Sequence, residues 1–207
     1  MRKTGIAFCA IALGAFGTAA SAATVSFGNT FSPVVVVDAS TASRSIDVTT
    51  SGLITDLDVI VDFSQSGDSI ASDGSVASTA FPYPDELSLV LQSAEGTSVT
   101  LVASGTYGNG TSGRYVFTFD DEATTSYTGS TTSGTYLPNT PLSAFDGQDM
   151  LGIWTITIGD YAGADPKSLN AITLDFTYDL ATIPLPAGAP LLLGGLTILG
   201  LKRRRQG

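Results

Sequence analysis

The chain has 207 residues, of which 14% are charged, and a formal net charge of −10. It contains no histidine and one cysteine, which excludes Ser-His-Asp and Cys-His catalysis, histidine-ligated metals and a disulfide framework. Between the basic chain ends, three basic residues stand against all 19 acidic residues, a formal charge of −16. The strongly acidic region between the chain ends repels nucleic acid and anionic membrane surfaces.

The first 22 residues have the layout of a secretory signal peptide. Basic residues at positions 2 and 3 precede an apolar stretch at residues 6–16. The small residues Ala20 and Ala22 follow, so we predict that signal peptidase cleaves before Ala23. The apolar stretch is too short to span a bilayer. The sequence therefore predicts export.

From residue 24 onward, short segments of alternating apolar and polar residues are separated by turn-rich gaps. This pattern is typical of antiparallel sheets that pack face to face and bury one side. We predict an all-β, jelly-roll-like antiparallel sandwich over residues 23–180, with roughly eight or nine strands and no helix. Five segments supply the expected core: Leu57, Val59, Val61 and Phe63; Leu87, Leu89 and Leu91; Tyr115, Phe117 and Phe119; Trp154, Ile156 and Ile158; and Ile172, Leu174, Phe176, Tyr178 and Leu180.

Two polar loops interrupt the pattern of strands. Residues 104–114, SGTYGNGTSGR, centre on an Asn-Gly pair, which favours a β-hairpin turn. Residues 124–135, TTSYTGSTTSGT, predict a long surface loop.

Three residues near the end of the domain are expected to be structural anchors. Trp154 is the one tryptophan and lies mid-strand on an apolar face. Phe145, in the segment PLSAF, is expected to cap the core. Gly152, like Gly147, fits a turn that needs an unusual backbone angle.

Two acidic groups are candidate calcium sites, because calcium prefers carboxylate and carbonyl oxygens. Asp120 and Asp121 follow a predicted strand and precede a polar loop, and Asp160 and Asp165 lie in GDYAGAD. Neither group has EF-hand spacing. The alternative is an acidic surface that keeps the protein soluble.

The sequence favours a protein that is not an enzyme. No serine lies in a Gly-x-Ser-x-Gly or Ser-x-x-Lys motif. The 19 carboxylates leave a carboxylate-based hydrolase as the least favoured alternative.

Seven segments between about residues 48 and 178 follow one another in order: ITDLDVIVDF, DELSLVLQSAEGTSVTL, FDDEA, GTYLP, PLSAFDGQD, GIWTITIGD and LNAITLDF. In this order they resemble the P domain, or P/Homo B domain. That β-sandwich follows the subtilisin-like catalytic domain of proprotein convertases and of many secreted bacterial proteases. The resemblance implies a sandwich fold, association with proteolysis and the calcium binding of some P domains. The chain departs from the family at Ile172, where tryptophan is common, and by an insertion at residues 67–82.

The C-terminal segment reads IPLPAGAPLLLGGLTILGLKRRR. Pro184, Leu185, Pro186 and Ala187 resemble the start of a VPLPA-type PEP-CTERM sorting signal, which implies cleavage by an exosortase-type membrane protease. We assign residues 181–187 to a linker with this motif and residues 188–207 to a hydrophobic helix with a basic tail. The apolar run of 17 residues is just long enough for a transmembrane helix. Its cations would stay cytoplasmic and leave the sandwich outside. A plain membrane anchor is the alternative.

These features predict an exported, non-catalytic sandwich at the cell surface or in the extracellular matrix, which acts by binding or matrix integration. Its expected processing partners are signal peptidase and an exosortase-type enzyme. Exopolysaccharide and a subtilisin-like protease are candidate binding partners, and the tail contacts the inner membrane at least transiently. The alternative function is an accessory domain that stabilises a separate subtilisin-like serine endopeptidase.

Overall fold

The computed structural model describes residues 22–108, 110–129 and 132–179. The predicted signal segment as far as residue 21, with Ala20, lies outside these ranges, as do Leu180 and the predicted processing residues of the C-terminal segment. The predicted cleavage site meets the described part at Ala22 and Ala23, the first two residues of a strand. Among the described residues, no helix has the length and apolar character needed to cross a membrane.

The described residues form nine strands and three short 3₁₀ helices. The strands are β1 (Ala22–Val37), β2 (Thr41–Val48), β3 (Leu53–Gln65), β4 (Leu87–Gln92), β5 (Ser98–Val102), β6 (Gly113–Phe119), β7 (Gly134–Tyr136), β8 (Gly152–Asp160) and β9 (Lys167–Asp179). The 3₁₀ helices are Pro84–Glu86, Tyr127–Gly129 and Leu142–Phe145.

The strands form two sheets in the order β1-β9-β3-β6-β7 and β2-β8-β4-β5. With the three-residue β7 set aside, this is the strand order of a jelly roll. Every pair is antiparallel except β6 with β7. The predicted all-β, jelly-roll-like sandwich is therefore confirmed.

The core lies between the sheets and is built from alternate residues of each strand. Every described residue of the five predicted core segments is buried. Trp154 is completely buried, with its ring centroid 4.9 Å from that of Phe145 and 5.2 Å from that of Phe176. Its indole N–H donates to the Met150 carbonyl at 2.9 Å, which satisfies the polar atom inside the core.

The hairpin predicted at residues 104–114 is wrong. β5 belongs to the four-stranded sheet and β6 to the five-stranded sheet, so this segment crosses between them. Tyr107 in its middle is fully buried and meets the Phe117 ring edge-on, at 5.5 Å between centroids. The segment is therefore held by a buried aromatic side chain. The turn of residues 93–97 instead closes a β4–β5 hairpin, with Gly96 at a φ of 92°.

Residues 124–135 are not entirely a surface loop. They include the 3₁₀ helix Tyr127–Gly129 and the start of β7. Tyr127 is buried and packs against the rings of Tyr107 and Phe119. A side chain in the core therefore fixes the middle of this segment.

Gly152→Ala is expected to destabilise the protein by about 2–3 kcal/mol, from backbone strain and steric overlap together. Gly152 has a φ of 125°, and a Cβ there would lie 2.7 Å from the Ala94 Cβ. Gly96→Ala is the matched control, since its φ is 92° but no atom lies within 4 Å of the added Cβ. The control should cost about 1 kcal/mol. Urea unfolding compares the two, and equal losses would rule out the steric part.

Candidate functional site

The described chain begins and ends at the same end of the sandwich, because Ala22 pairs with Asp179. The opposite end, here called the distal end, carries the loops of residues 38–40, 66–86, 103–112 and 161–166. β9 runs the whole way between them, about 40 Å at the usual rise of a strand. The distal end therefore lies far from both points at which the chain leaves the sandwich.

A buried lysine organises the distal end. Lys167, the first residue of β9, has no solvent exposure. Its ammonium donates to the Pro82 carbonyl at 2.8 Å, to the Asp165 carbonyl at 2.5 Å and to Asp165 Oδ2 at 2.9 Å. Asp160 Oδ1 lies 3.6 Å away. The three N–H donors of one buried ammonium are thus satisfied, and they tie two loops to the start of β9.

Glu86 adds a third carboxylate to this group. Single carboxylate oxygens of Glu86, Asp160 and Asp165 all lie within 4.8 Å of one another. When all three are ionised, one ammonium leaves two negative charges uncompensated. Both carboxylate oxygens of Asp160, and Oε2 of Glu86, are buried and accept no hydrogen bond from the described residues. The cluster is therefore short of both positive charge and hydrogen-bond donors.

The electrostatics of the cluster follow from this shortage. Burial raises the pKa of Glu86 to about 7, helped by a hydrogen bond to Asp165 and by the negative charge of that carboxylate. Burial likewise raises the pKa of Asp160 to about 6, although the Lys167 ammonium opposes the shift. Both carboxyls hold protons at a pH at which ordinary carboxylates are ionised.

Stability is expected to fall as the pH rises from about 4 to 7. A carboxyl whose pKa is higher in the folded state binds its proton more tightly there, so it favours folding at low pH and loses this effect as pH passes the folded pKa. Glu86, with a pKa of about 7 against 4.5, and Asp160, with about 6 against 3.8, set this window. Glu86→Gln should remove on the order of 1–2 kcal/mol of the loss, allowing for solvent screening.

Urea unfolding at several pH values measures this effect. Asp85→Asn, which changes the exposed carboxylate next to Glu86, is the matched control and should keep the wild-type pH dependence. An unchanged slope in Glu86→Gln would contradict the assignment.

The structure brings the predicted calcium ligands Asp160 and Asp165 together, but around an ammonium. A calcium ion bound between them would have to replace the positive charge of Lys167. A divalent ion beside that ammonium would meet strong repulsion at low local dielectric.

The second predicted calcium group lies at the other end of the sandwich. Asp121 accepts hydrogen bonds from the amides of Leu142 and Ser143, both at 2.8 Å, and so holds the start of the 3₁₀ helix Leu142–Phe145. Asp120 Oδ1 accepts from the Glu122 amide at 2.6 Å. These carboxylates are engaged in holding loop backbone.

Asp120 also belongs to an acidic face of the five-stranded sheet. Asp58 on β3 is paired directly with Asp175 on β9, a like-charge pair that disfavours the sheet. Burial raises the pKa of Asp58 to about 6, with further contributions from Asp120, Asp56 and Asp175. Among described residues, no cation is paired with this group.

Exposed aromatic side chains surround the Lys167 cluster. Phe81 and Tyr83 are 56% and 55% exposed, and their rings meet edge to face with centroids 5.2 Å apart. They border a surface pocket of about 400 Å³ that we call the distal pocket. Its lining residues are Gly67, Phe81, Tyr83, Glu86, Gly163, Ala164 and Asp165. The exposed Tyr161 borders a second pocket beside Asp160.

The aromatic wall of the distal pocket is held in place by hydrogen bonds. Lys167 binds the carbonyl of Pro82, between the two aromatic residues. Ser112 donates to the Ala80 carbonyl at 2.6 Å and accepts from the Gly67 amide at 3.0 Å. The loop therefore presents its rings from a fixed backbone.

Sequence reasoning found Asp160 and Asp165 but missed Glu86 and Lys167. The sequence signal for Lys167 is the small number of basic residues, since it is one of only three between the basic chain ends. A lysine that opens an apolar strand beside an acidic loop suggests a buried ion pair. Glu86 carries no such signal, because only the folded chain brings it close.

Comparison with known proteins gives distant similarities to solved structures, at low sequence identity. No protein-family model matches the chain, and no curated protein matches it significantly. A chain from the crystal structure of the Aeromonas sobria serine protease with the chaperone ORF2 is 12% identical, with a TM-score of 0.47 over 78% of this chain. The Aeromonas sobria serine protease in a second structure is 12% identical, with a TM-score of 0.45 over 79%.

This chain covers 28% of the length of each of those two matched chains. The structure of FlhE is 11% identical, with a TM-score of 0.41, and the match covers 77% of this chain and 98% of FlhE.

Proposed function

We propose that this chain is an exported, non-catalytic binding protein of the cell surface or extracellular matrix. The observation that carries the proposal is the placement of the distal pocket. Its exposed aromatic rings and uncompensated carboxylates lie at the end opposite Ala22 and Asp179. The pocket therefore lies at the end of the sandwich away from Asp179, the last described residue.

The geometry of the carboxylate cluster supports binding rather than catalysis. The side chains of Asp160 and Lys167 have no solvent exposure, and that of Asp165 has 6%. A general acid or base must reach the proton that it transfers. Because the Asp160 side chain has no solvent exposure, a substrate has no access to its carboxylate. The absence of histidine from the sequence agrees with this proposal.

The proposed location at the cell surface or in the extracellular matrix depends on processing of both termini. Mass spectrometry of the exported protein tests this processing. We expect the mature chain to begin at Ala23 and to end near Pro184, Leu185, Pro186 or Ala187. A mature chain that still carries Arg205 would refute sorting by cleavage and leave a membrane anchor. Recovery with exopolysaccharide supports matrix integration, and free release without a partner counts against it.

A second candidate is an accessory domain for a separate subtilisin-like protease. It is favoured by the P-domain-like segments, whose Trp154 lies at the centre of the core and whose Asp160 lies in the Lys167 cluster. A subtilisin-like protease encoded beside this protein, and lacking a P domain of its own, provides the test. Its thermal inactivation should slow when the chain is added, and an unchanged half-life would exclude this role.

A further inference from the structure

We propose that the distal pocket binds a basic side chain, the guanidinium of an arginine presented by a partner protein or peptide. The inference rests on the proposed binding role and names the chemistry of the partner. It does not depend on how the chain is sorted.

The first argument is charge complementarity. Glu86 and Asp165 line the pocket, and a carboxylate oxygen of Asp160 lies within 4.8 Å of an oxygen of each. Asp160 is 4% exposed, and neither of its carboxylate oxygens accepts a hydrogen bond from the described residues. When all three carboxylates are ionised, Lys167 compensates only one of the three negative charges. A cation in the pocket would supply positive charge beside the carboxylates of Glu86 and Asp165 that line it.

The second argument is the aromatic wall. More than half the surface of Phe81 and of Tyr83 is exposed, although large aromatic side chains gain by burial. A cation over the face of an aromatic ring is attracted by the ring quadrupole. A planar guanidinium can stack on such a ring while donating to two carboxylates, which a compact ammonium does less well.

The third argument separates a basic side chain from other ligands. A calcium ion needs several oxygen ligands, but Lys167 already occupies the oxygen-rich centre of the cluster. A neutral sugar would use the rings and leave the carboxylate charge uncompensated. Arginine uses both features, and the hydrogen bonds that fix residues 80–82 reduce the ordering cost of binding.

Titration of the exported, ¹⁵N-labelled protein with short acetylated peptides tests the proposal. The probes are acetyl-Gly-Arg-Gly-amide and the same peptide with citrulline, which has nearly the same shape but no charge. We expect the arginine peptide to shift the amide signals of Gly67, Gly163 and Ala164, with a Kd on the order of 1 mM. The citrulline peptide should bind at least about tenfold more weakly, the equivalent of one lost charge-assisted hydrogen bond.

Variants assign the binding to the pocket. Glu86→Gln should weaken arginine-peptide binding about tenfold, and Phe81→Ser should weaken it about threefold or more. Both changes affect residues with solvent contact and leave the Lys167 hydrogen bonds intact. Glu122→Gln, which removes an exposed carboxylate at the other end, is the matched control and should bind like wild type.

Several outcomes would overturn the proposal. They are equal binding of the citrulline peptide, unchanged affinity in Glu86→Gln, and amide shifts confined to the acidic sheet face around Asp58. Displacement of the peptide by calcium chloride at constant ionic strength would identify a metal site instead. Displacement by a neutral oligosaccharide such as cellopentaose would identify a sugar site. A failed titration leaves the terminal masses of the exported protein unaffected, so the two proposals can fail separately.

Discussion

Replacing Lys167 by methionine is expected to destabilise the protein by about 3–5 kcal/mol at pH 8, the usual cost of removing one partner from a buried ion pair. Lys167 is fully buried and joins Pro82, Asp160 and Asp165. Without its ammonium, the three carboxylates of the cluster repel one another at low dielectric. The Pro82 carbonyl would also lose its hydrogen-bond donor. Urea unfolding measures the loss of free energy.

Arg114→Met is the matched control, because it also removes the cation from an ion pair with an aspartate, Asp62. The guanidinium of Arg114 binds both oxygens of Asp62, at 2.8 and 2.6 Å, but its side chain is 46% exposed. Its loss should cost about 1 kcal/mol or less. Similar losses for the two variants would show that the distal cluster is not a buried charge network.

The pH dependence of Lys167→Met separates lost charge from lost packing. In this variant the carboxyls of the cluster can bind protons and become neutral. The loss of unfolding free energy relative to wild type, here called the deficit, should therefore be smaller at pH 5 than at pH 8. Adding Glu86→Gln removes one repelling charge, and the double variant should recover part of the deficit at pH 8. A deficit that is the same at pH 5 and pH 8 would point to packing alone.

The core could be predicted from the sequence because a strand alternates its faces with a period of two. In β9, residues Ile172, Leu174, Phe176 and Tyr178 alternate with polar or small residues, and all four are buried. Such periodicity needs no knowledge of which strands are neighbours. It therefore identified the buried faces without the strand order of the sheets.

The incorrect hairpin shows where a local signal fails. An Asn-Gly pair favours a tight turn, but the burial of Tyr107 against Phe117 carries the segment to the other sheet. This contact depends on the position of β6, which no local pattern specifies. Tertiary burial here determined the path of the chain.

The candidate site could be predicted only in part for the same reason. Asp160 and Asp165 are close in sequence and flank one turn, so their proximity was accessible. Glu86 and Lys167 come from different regions of the chain, and they meet only because β4 and β9 both begin at the distal end. The sequence predicts that Asp160 and Asp165 bind calcium, whereas in the folded chain the ammonium of Lys167 lies beside them.

Replacing Trp154 by alanine is expected to cost about 3–5 kcal/mol, the range for removing a large aromatic side chain from a core. Trp154 is completely buried between Phe145 and Phe176. Phe145 ends the 3₁₀ helix Leu142–Phe145, and Phe176 lies in β9 of the opposite sheet. The cavity would thus open at the junction of both sheets. Urea unfolding followed by circular dichroism measures the change, since no other tryptophan is present.

Two further variants keep this prediction testable if Trp154→Ala does not fold. Trp154→Phe retains most of the ring contact but removes the N–H that binds the Met150 carbonyl at 2.9 Å, so it should cost about 1–3 kcal/mol. Ile153→Ala changes the neighbouring residue on the outer face, which is 53% exposed, and should stay within about 0.5 kcal/mol of wild type. If Trp154 anchors the core, the loss of stability must be largest for Trp154→Ala, smaller for Trp154→Phe and smallest for Ile153→Ala. A Trp154→Phe variant as stable as wild type would mean that the indole hydrogen bond contributes nothing.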